Sequence, residues 1–152
     1  MLVYLLRHAI AEDRAATDSL RNLTDECLAQ TRSVTEKFKQ IFPVIDIVLC
    51  SPYNRAQQTA SVVMTLLPGL ALTLDKSIKP GGDVYSVLGA IEGLDVRHLL
   101  IVSHNPFLSN LLSVMVDGTM ESHRYVANAT LHCLSMDIVA PGCAKIAYTL
   151  EP

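Results

Sequence analysis

The chain has 152 residues, half of them apolar, and a formal net charge of −3, which suits one domain that closes its core without disulfides or a structural metal. The mild acidity and the want of a basic stripe argue against a nucleic-acid binder. No apolar run approaches the roughly 18 residues of a membrane span.

The opening MLVYLLRHAIAED has no basic region ahead of its apolar start and no small-residue cleavage site. It predicts a buried strand rather than a secretory signal, with Leu2 to Leu6 as that strand. A polar loop from Ala11 to Leu23 follows, and Thr24 is a good N-cap for a helix to about Gln40. Leu28, Thr31, Val34, Thr35 and Phe38 form that helix's inward face. Ile45 to Cys50 predicts a second strand. Ser51-Pro52 then pairs a capping residue with proline at the first helical position, opening a helix through Leu67. A short strand near Leu70 to Leu74 precedes the break Lys79-Pro80-Gly81-Gly82, after which Asp83 can cap a helix to about Glu92. His98 to Val102 reads as a strand, and Asn105-Pro106 starts the next helix by the same device as Ser51-Pro52. Thr130 to Val139 and Lys145 to Leu150 alternate apolar and polar residues around Pro141-Gly142, a hairpin-like pair of edge strands.

Cys27, Cys50, Cys133 and Cys143 show no paired spacing and read as reduced thiols in a cytoplasm. His132 and Cys133 adjoin in a strand, so they point to opposite faces, which is poor geometry for a shared zinc. Without linkers or repeats, residues 1–152 read as one unit. Strands alternating with helices predict an α/β fold with a largely parallel sheet covered on both faces. Ligands bind such sheets outside the carboxyl ends of the strands.

Three polar signals fall at that edge: Arg7-His8 after the first strand, Ser51 to Arg55 after the second, and Ser103-His104 after LLIVS. Arg55 falls in the first turn of its helix, where a cation opposes the macrodipole at a cost of about 0.3–1 kcal/mol. A bound phosphate offsets that, because helix N-termini and guanidinium forks both favour phosphate oxygens. Each signal alone is ordinary; two histidines and two arginines converging on one sheet edge are specific. Arginines beside these motifs in a mildly acidic chain suit a local anion pocket.

The run Arg7-His8-Ala9 with Glu12, then Ser51-Pro52, Arg55-Ala56 and Gln58-Thr59, then Val102-Ser103-His104-Asn105-Pro106 resembles the histidine phosphatase superfamily. The match is closest to its short phosphohistidine phosphatase (SixA) branch and runs from residue 2 to about residue 116. Arg21-Asn22-Leu23-Thr24 also resembles that branch. The resemblance implies a three-layer α/β/α sandwich around a mostly parallel, mixed sheet, phosphoglycerate mutase-like and without a cap domain, since Asp75 to Arg97 is too short to build one. It implies His8 as nucleophile, Arg7, Arg55 and Arg21 as phosphate ligands, and His104 as the second histidine flanking the phosphoryl group. The arginines and His104 would supply the positive charge that a metal supplies elsewhere, so neither a metal nor a cofactor is expected.

Arg-His-Ala stands where the wider family has Arg-His-Gly, so the position after His8 cannot rely on glycine's freedom. The proton donor is the open role, with Asp83 the nearest candidate and Glu12 second. The implied activity is removal of a phosphoryl group from histidine of a signalling or phosphotransfer protein through a covalent phosphohistidine intermediate. The implied setting is a cytoplasmic monomer with no nucleic-acid or membrane partner. The alternatives are a small-molecule phosphomonoesterase or phosphoglycerate mutase-like transferase, and a phosphate-binding module without turnover.

Overall fold

A computed structural model describes residues 1–41 and 43–152. Its strands are β1 (Leu2–Arg7), β2 (Ile47–Cys50), β3 (Leu72–Leu74), β4 (His98–Ser103), β5 (Leu131–Ser135) and β6 (Lys145–Leu150). Its helices are α1 (Asp25–Gln40), α2 (Asn54–Leu66), α3 (Val84–Glu92) and α4 (Phe107–Asp117). The strands form one mixed sheet in the order β3-β2-β4-β1-β5-β6, with the first four parallel, β5 antiparallel to β1 and β6 antiparallel to β5.

Alternation along β1 divides the core into two layers, because successive side chains of a strand leave opposite faces. Tyr4 and Leu6 pack with Val34 and Phe38 of α1 and Ala56, Ala60 and Val63 of α2. Val3 and Leu5 pack with Val87, Leu88 and Ile91 of α3 and Leu108 and Leu111 of α4. The result is the expected three-layer sandwich, and no cap domain is formed among the described residues. Burying both faces explains why the central strands read as nearly unbroken apolar runs.

The register sets the chemistry: Arg7 pairs with Ser103, and Cys50 with Val102. The carboxyl ends of β1, β2 and β4 therefore finish side by side. The loop after β1 folds back over this edge, held by a bridge between Ala11 and Leu23 and by Glu12 N–H donating to Asn22 O at 2.8 Å. A short 3-10 turn, Asp18–Leu20, lies within it.

Thr24 caps α1 as read, accepting from Cys27 N, and Asp83 caps α3, accepting from Tyr85 N. The inward face of α1 uses Cys27 fully and Leu28 only partly. Gly82 in the predicted break has a local reason: a Cβ there would meet Ser77 O at 1.9 Å.

Three expectations need correction. The second and fourth helices begin at Asn54 and Phe107, after Tyr53 and Pro106, and neither N-terminus has a side-chain cap. Ser51 and Asn105 are not caps because their side chains bond across the sheet edge to His104 and to Val126 O. The tail is not a pair of edge strands, since β5 lies between β1 and β6 and only β6 is an edge. His132 is buried in β5 opposite Leu5, with Nδ1 2.8 Å from Thr149 Oγ1, while the neighbouring Cys133 faces the other layer.

Among the described residues no group of three or more His, Cys, Asp or Glu is gathered as a metal site. No described helix is long and apolar enough to cross a membrane.

Candidate active site

His8 follows β1, where its N–H donates to Ser103 O at 3.1 Å and its carbonyl accepts from Ala129 N. The chain is already turning there, so Arg7 and His8 can face one space. Ala9 is fully buried and is not among the described residues of positive φ, so alanine meets no conformational conflict.

His8 Nδ1 bonds to Ala9 O, and Nε2 receives a hydrogen bond from Arg55 Nε at 3.1 Å. A carbonyl can only accept, so Nδ1 carries the proton and Nε2 presents its lone pair. Burial lowers the His8 pKa to about 4; the Ala9 bond opposes this, while Arg55, Arg7 and Arg21 reinforce it. The imidazole is neutral near pH 7.

Arg55 lies in the first turn of α2 and is 5% exposed. Its Nη1 donates to Asp18 O at 2.6 Å and its Nη2 to Asp18 Oδ2 at 2.9 Å, while its guanidinium lies 4.9 Å from the Tyr53 ring centre. The other oxygen of the same carboxylate takes Arg21 Nη1 at 3.1 Å, and Arg21 Nε donates to Glu12 O. One acidic side chain thus ties together two arginines. Burial works to raise the Asp18 pKa, but hydrogen bonds from Arg55 and Arg21 prevail and lower it.

Arg7 Nη1 donates to Val126 O at 2.8 Å and to Tyr125 OH at 3.0 Å. Its Nε is buried and has no partner among the described residues. His104 is 1% exposed, with its ring centre 5.6 Å from that of His8. Its Nε2 lies 3.1 Å from Ser51 Oγ, and its Nδ1 is buried with no partner among the described residues. Burial, then His8 and Arg55, lower the His104 pKa to about 3. This corrects the expectation of a positive charge: at neutral pH His104 brings an uncharged ring.

A cavity of about 240 Å³ opens between these groups, lined by Arg7, His8, Arg21 and Arg55 together with Asn105 and Asn128. A larger one of about 510 Å³ lies at the opposite end of the sheet, beside Met1, Arg97 and Lys145, and none of the predicted residues lines it. Size is the weaker guide here, because the smaller cavity is where three arginines and His8 converge, with the His104 ring 5.6 Å from that of His8.

His8, Arg7, Arg55, His104 and Arg21 are therefore brought together. The two proton-donor candidates are not inside the cluster. Both Asp83 oxygens are taken at the start of α3, by Tyr85 N and Ser86 Oγ, and these bonds lower its pKa. Glu12 sits at the rim, where its Oε2 accepts from Asn22 N at 3.3 Å. Sequence reasoning missed Asp18, whose one visible signal is its position three residues before Arg21. It also missed Tyr53, Tyr125 and Asn128, for which tertiary approach alone reveals a role.

A model of the histidine phosphatase superfamily (branch 1) matches residues 3–79. The phosphohistidine phosphatase SixA of Escherichia coli K12 is 33% identical over 123 residues, covering 78% of this chain and 76% of that protein. A SixA homolog from Haemophilus influenzae is 31% identical over 124 residues, covering 74% and 76%. A solved structure of the protein histidine phosphatase SixA complexed with tungstate superposes with a TM-score of 0.88 at 27% identity, covering 100% of this chain and 97% of that one. A crystal structure of the α-ribazole phosphatase from Shigella flexneri shares the fold, with a TM-score of 0.72 at 17% identity over 100% and 96% of the two chains. With its family motifs at the ends of three parallel strands, this chain belongs to the histidine phosphatase superfamily, in the SixA branch, and is a phosphatase with a histidine nucleophile.

Proposed function

We propose that the chain removes phosphoryl groups from phosphohistidine on a signalling or phosphotransfer protein, with His8 as the nucleophile. The observation that carries this reading is the state of His8: a neutral ring whose Nε2 lone pair stands among arginines, one of which, Arg7, keeps a buried Nε–H with no acceptor among the described residues. A phosphoryl oxygen is the acceptor that such a donor lacks.

In the first step His8 Nε2 forms a bond to phosphorus as the substrate's P–N bond breaks, and the leaving imidazole keeps the electron pair and takes a proton from solvent, which the attacking water returns in the second step. Arg55 turns its Nε–H from His8 to a phosphoryl oxygen, releasing the lone pair for attack. Arg7, Arg21 and Arg55 spread positive charge around the equatorial oxygens of a transition state with little covalent demand beyond positioning. In the second step water attacks the phosphorus on His8, giving inorganic phosphate and the free ring.

A cavity of about 240 Å³ lies below the ~300–1,000 Å³ typical of small-molecule sites. It suits a phosphoryl group projecting from a protein surface, and the missing cap leaves room for that surface. A protein substrate also fits what the SixA relatives are named for. Phosphohistidine asks least of a proton donor, because its P–N bond is labile once the imidazole is protonated, whereas an alkyl ester needs a placed acid.

The test compares kcat/KM on a phosphohistidine protein with kcat/KM on sugar phosphates and phosphoglycerates. A strong preference for the protein is the expected result. Preference for a small alkyl phosphate would overturn the substrate and leave the His8 chemistry standing.

A further inference from the structure

We infer that Gln58 is a positioning residue: together with Asn54 it clamps the loop after β1 onto α2, so that Arg21 is held at the phosphoryl pocket in register with Arg55. The inference rests on the reading of Arg21 as a phosphate ligand. It gives a role to Gln58, a residue of the family motif that takes no part in the steps above.

Asn54 and Gln58 lie four residues apart in α2 and so share one face of it, beside Arg55. Against that face runs the chain on either side of Arg21. Leu23 N–H donates to Gln58 Oε1 at 2.7 Å, and Gln58 Nε2 donates to Asn22 Oδ1 at 3.3 Å. Asn54 Nδ2 donates to the same Oδ1 at 3.2 Å and to Leu20 O at 3.3 Å. These partners leave the amides no choice of orientation. A backbone N–H can only donate, so the Gln58 atom facing Leu23 is its oxygen and the NH2 is left for Asn22. A backbone carbonyl can only accept, so Asn54 turns its NH2 to Leu20. Two NH2 groups then meet one atom of Asn22, and that atom is its oxygen.

Leu20, Asn22 and Leu23 are thereby fixed to α2, and Arg21 stands between them with its side chain at the cavity wall. Its own side-chain bonds, to Asp18 and to Glu12 O, stay within the loop. They set the guanidinium relative to the loop and cannot place it relative to His8. Arg55 also reaches the loop, through Asp18, but Arg55 is itself engaged by the phosphoryl group. Asn54 and Gln58 lie outside the residues that line the cavity and act through Arg21. One helix thus delivers two arginines, Arg55 from its own first turn and Arg21 through the clamp. Placement matters at this scale, since a shift of about 1 Å in a positioned group can cost on the order of a hundredfold in rate.

The experiment is a double-mutant cycle on Gln58 and Arg21, read as kcat/KM on the phosphohistidine protein and as Kd for vanadate. Gln58→Ala should lower kcat/KM by about tenfold or more, through KM more than kcat, and weaken vanadate binding in step. The expected signature is non-additivity: introduced into Arg21→Ala, the same change should move neither quantity by more than about twofold, because the clamp then has no guanidinium to place. Losses that multiply in the double variant would overturn the inference. So would a folded Gln58→Ala protein with wild-type kcat/KM and vanadate affinity. The Leu23 side chain is buried with Ala9, Cys27 and Ala129, which keeps the end of the loop docked when Gln58 is cut back. If Gln58→Ala fails to fold, Asn54→Ala leaves the Leu23 bond in place and carries the same cycle with the same outcomes. An Arg21→Ala protein with wild-type values would take Arg21 out of the pocket and the inference with it. Failure of the His8 reading looks different, because His8→Ala would then keep turnover whatever the cycle shows.

Discussion

In the proposed mechanism His8 divides the work between its ring nitrogens, Nδ1 tied to a backbone carbonyl and Nε2 accepting an Arg55 Nε–H that turns aside before attack. Burial and three neighbouring arginines hold the ring neutral, so its protonation, followed by NMR, should centre near pH 4 rather than 6.5. A titration near 6.5 would mean that the site is wetter than described. His8→Ala should abolish turnover and the trapped, acid-labile phosphoenzyme. Arg55 is held by three bonds that use Nε, Nη1 and Nη2 together. Lysine has no planar fork to repeat that pattern, so Arg55→Lys should lower kcat/KM by at least about tenfold, the effect of 1.4 kcal/mol of lost transition-state binding. Asp18 orients that fork, and Asp18→Ala should raise KM for the phosphohistidine protein more than it lowers kcat. Unchanged kinetics in that variant would separate Asp18 from substrate binding.

At the scale of elements, capping explains both what the sequence announced and where it misled. Thr24 caps α1 through its own side chain, and Thr24→Ala should cost about 1 kcal/mol in denaturant unfolding with kinetics intact. Asp83 caps α3 through Oδ1 and takes the Ser86 hydroxyl on Oδ2, so Asp83→Ala should lower Tm and leave kcat unchanged; a large loss of kcat would instead mark it as a proton donor. Ser51 and Asn105 looked like the same device because serine and asparagine before proline favour helix starts locally. Their side chains are claimed instead by His104, 53 residues away, and by Val126, 21 residues away, and local propensity yields to such partners. Strand ends were readable because burial makes β1 and β4 almost wholly apolar until their chemistry begins. The place of β5 was not, because alternation describes a strand's faces and says nothing about its neighbours. Asp18 meets Arg55 across 37 residues and Tyr125 meets Arg7 across 118, which no local pattern encodes.

For the whole molecule, burying two neutral histidines ties stability to acidity. Unfolded, each ring binds a proton below about pH 6.5; folded, His8 does so only near pH 4 and His104 near pH 3. The unfolded chain therefore holds more protons in that window, and stability, complete above about pH 6.5, should drain away as pH falls toward 3. The His8 contribution is on the order of 3 kcal/mol, so Tm should drop steeply from pH 7 to pH 4 and less so in His8→Ala. The position of β5 has a consequence for biosynthesis. Arg7 stands near the beginning of the chain, yet its backbone N–H is held by Thr130 and its guanidinium by Val126. A ribosome will have released the first arginine of the anion pocket more than a hundred residues before its anchors exist. Nascent chains stalled before Val126 should therefore neither bind vanadate nor hydrolyse substrate, and dephosphorylation begins only after Val126 to Thr130 have left the ribosome.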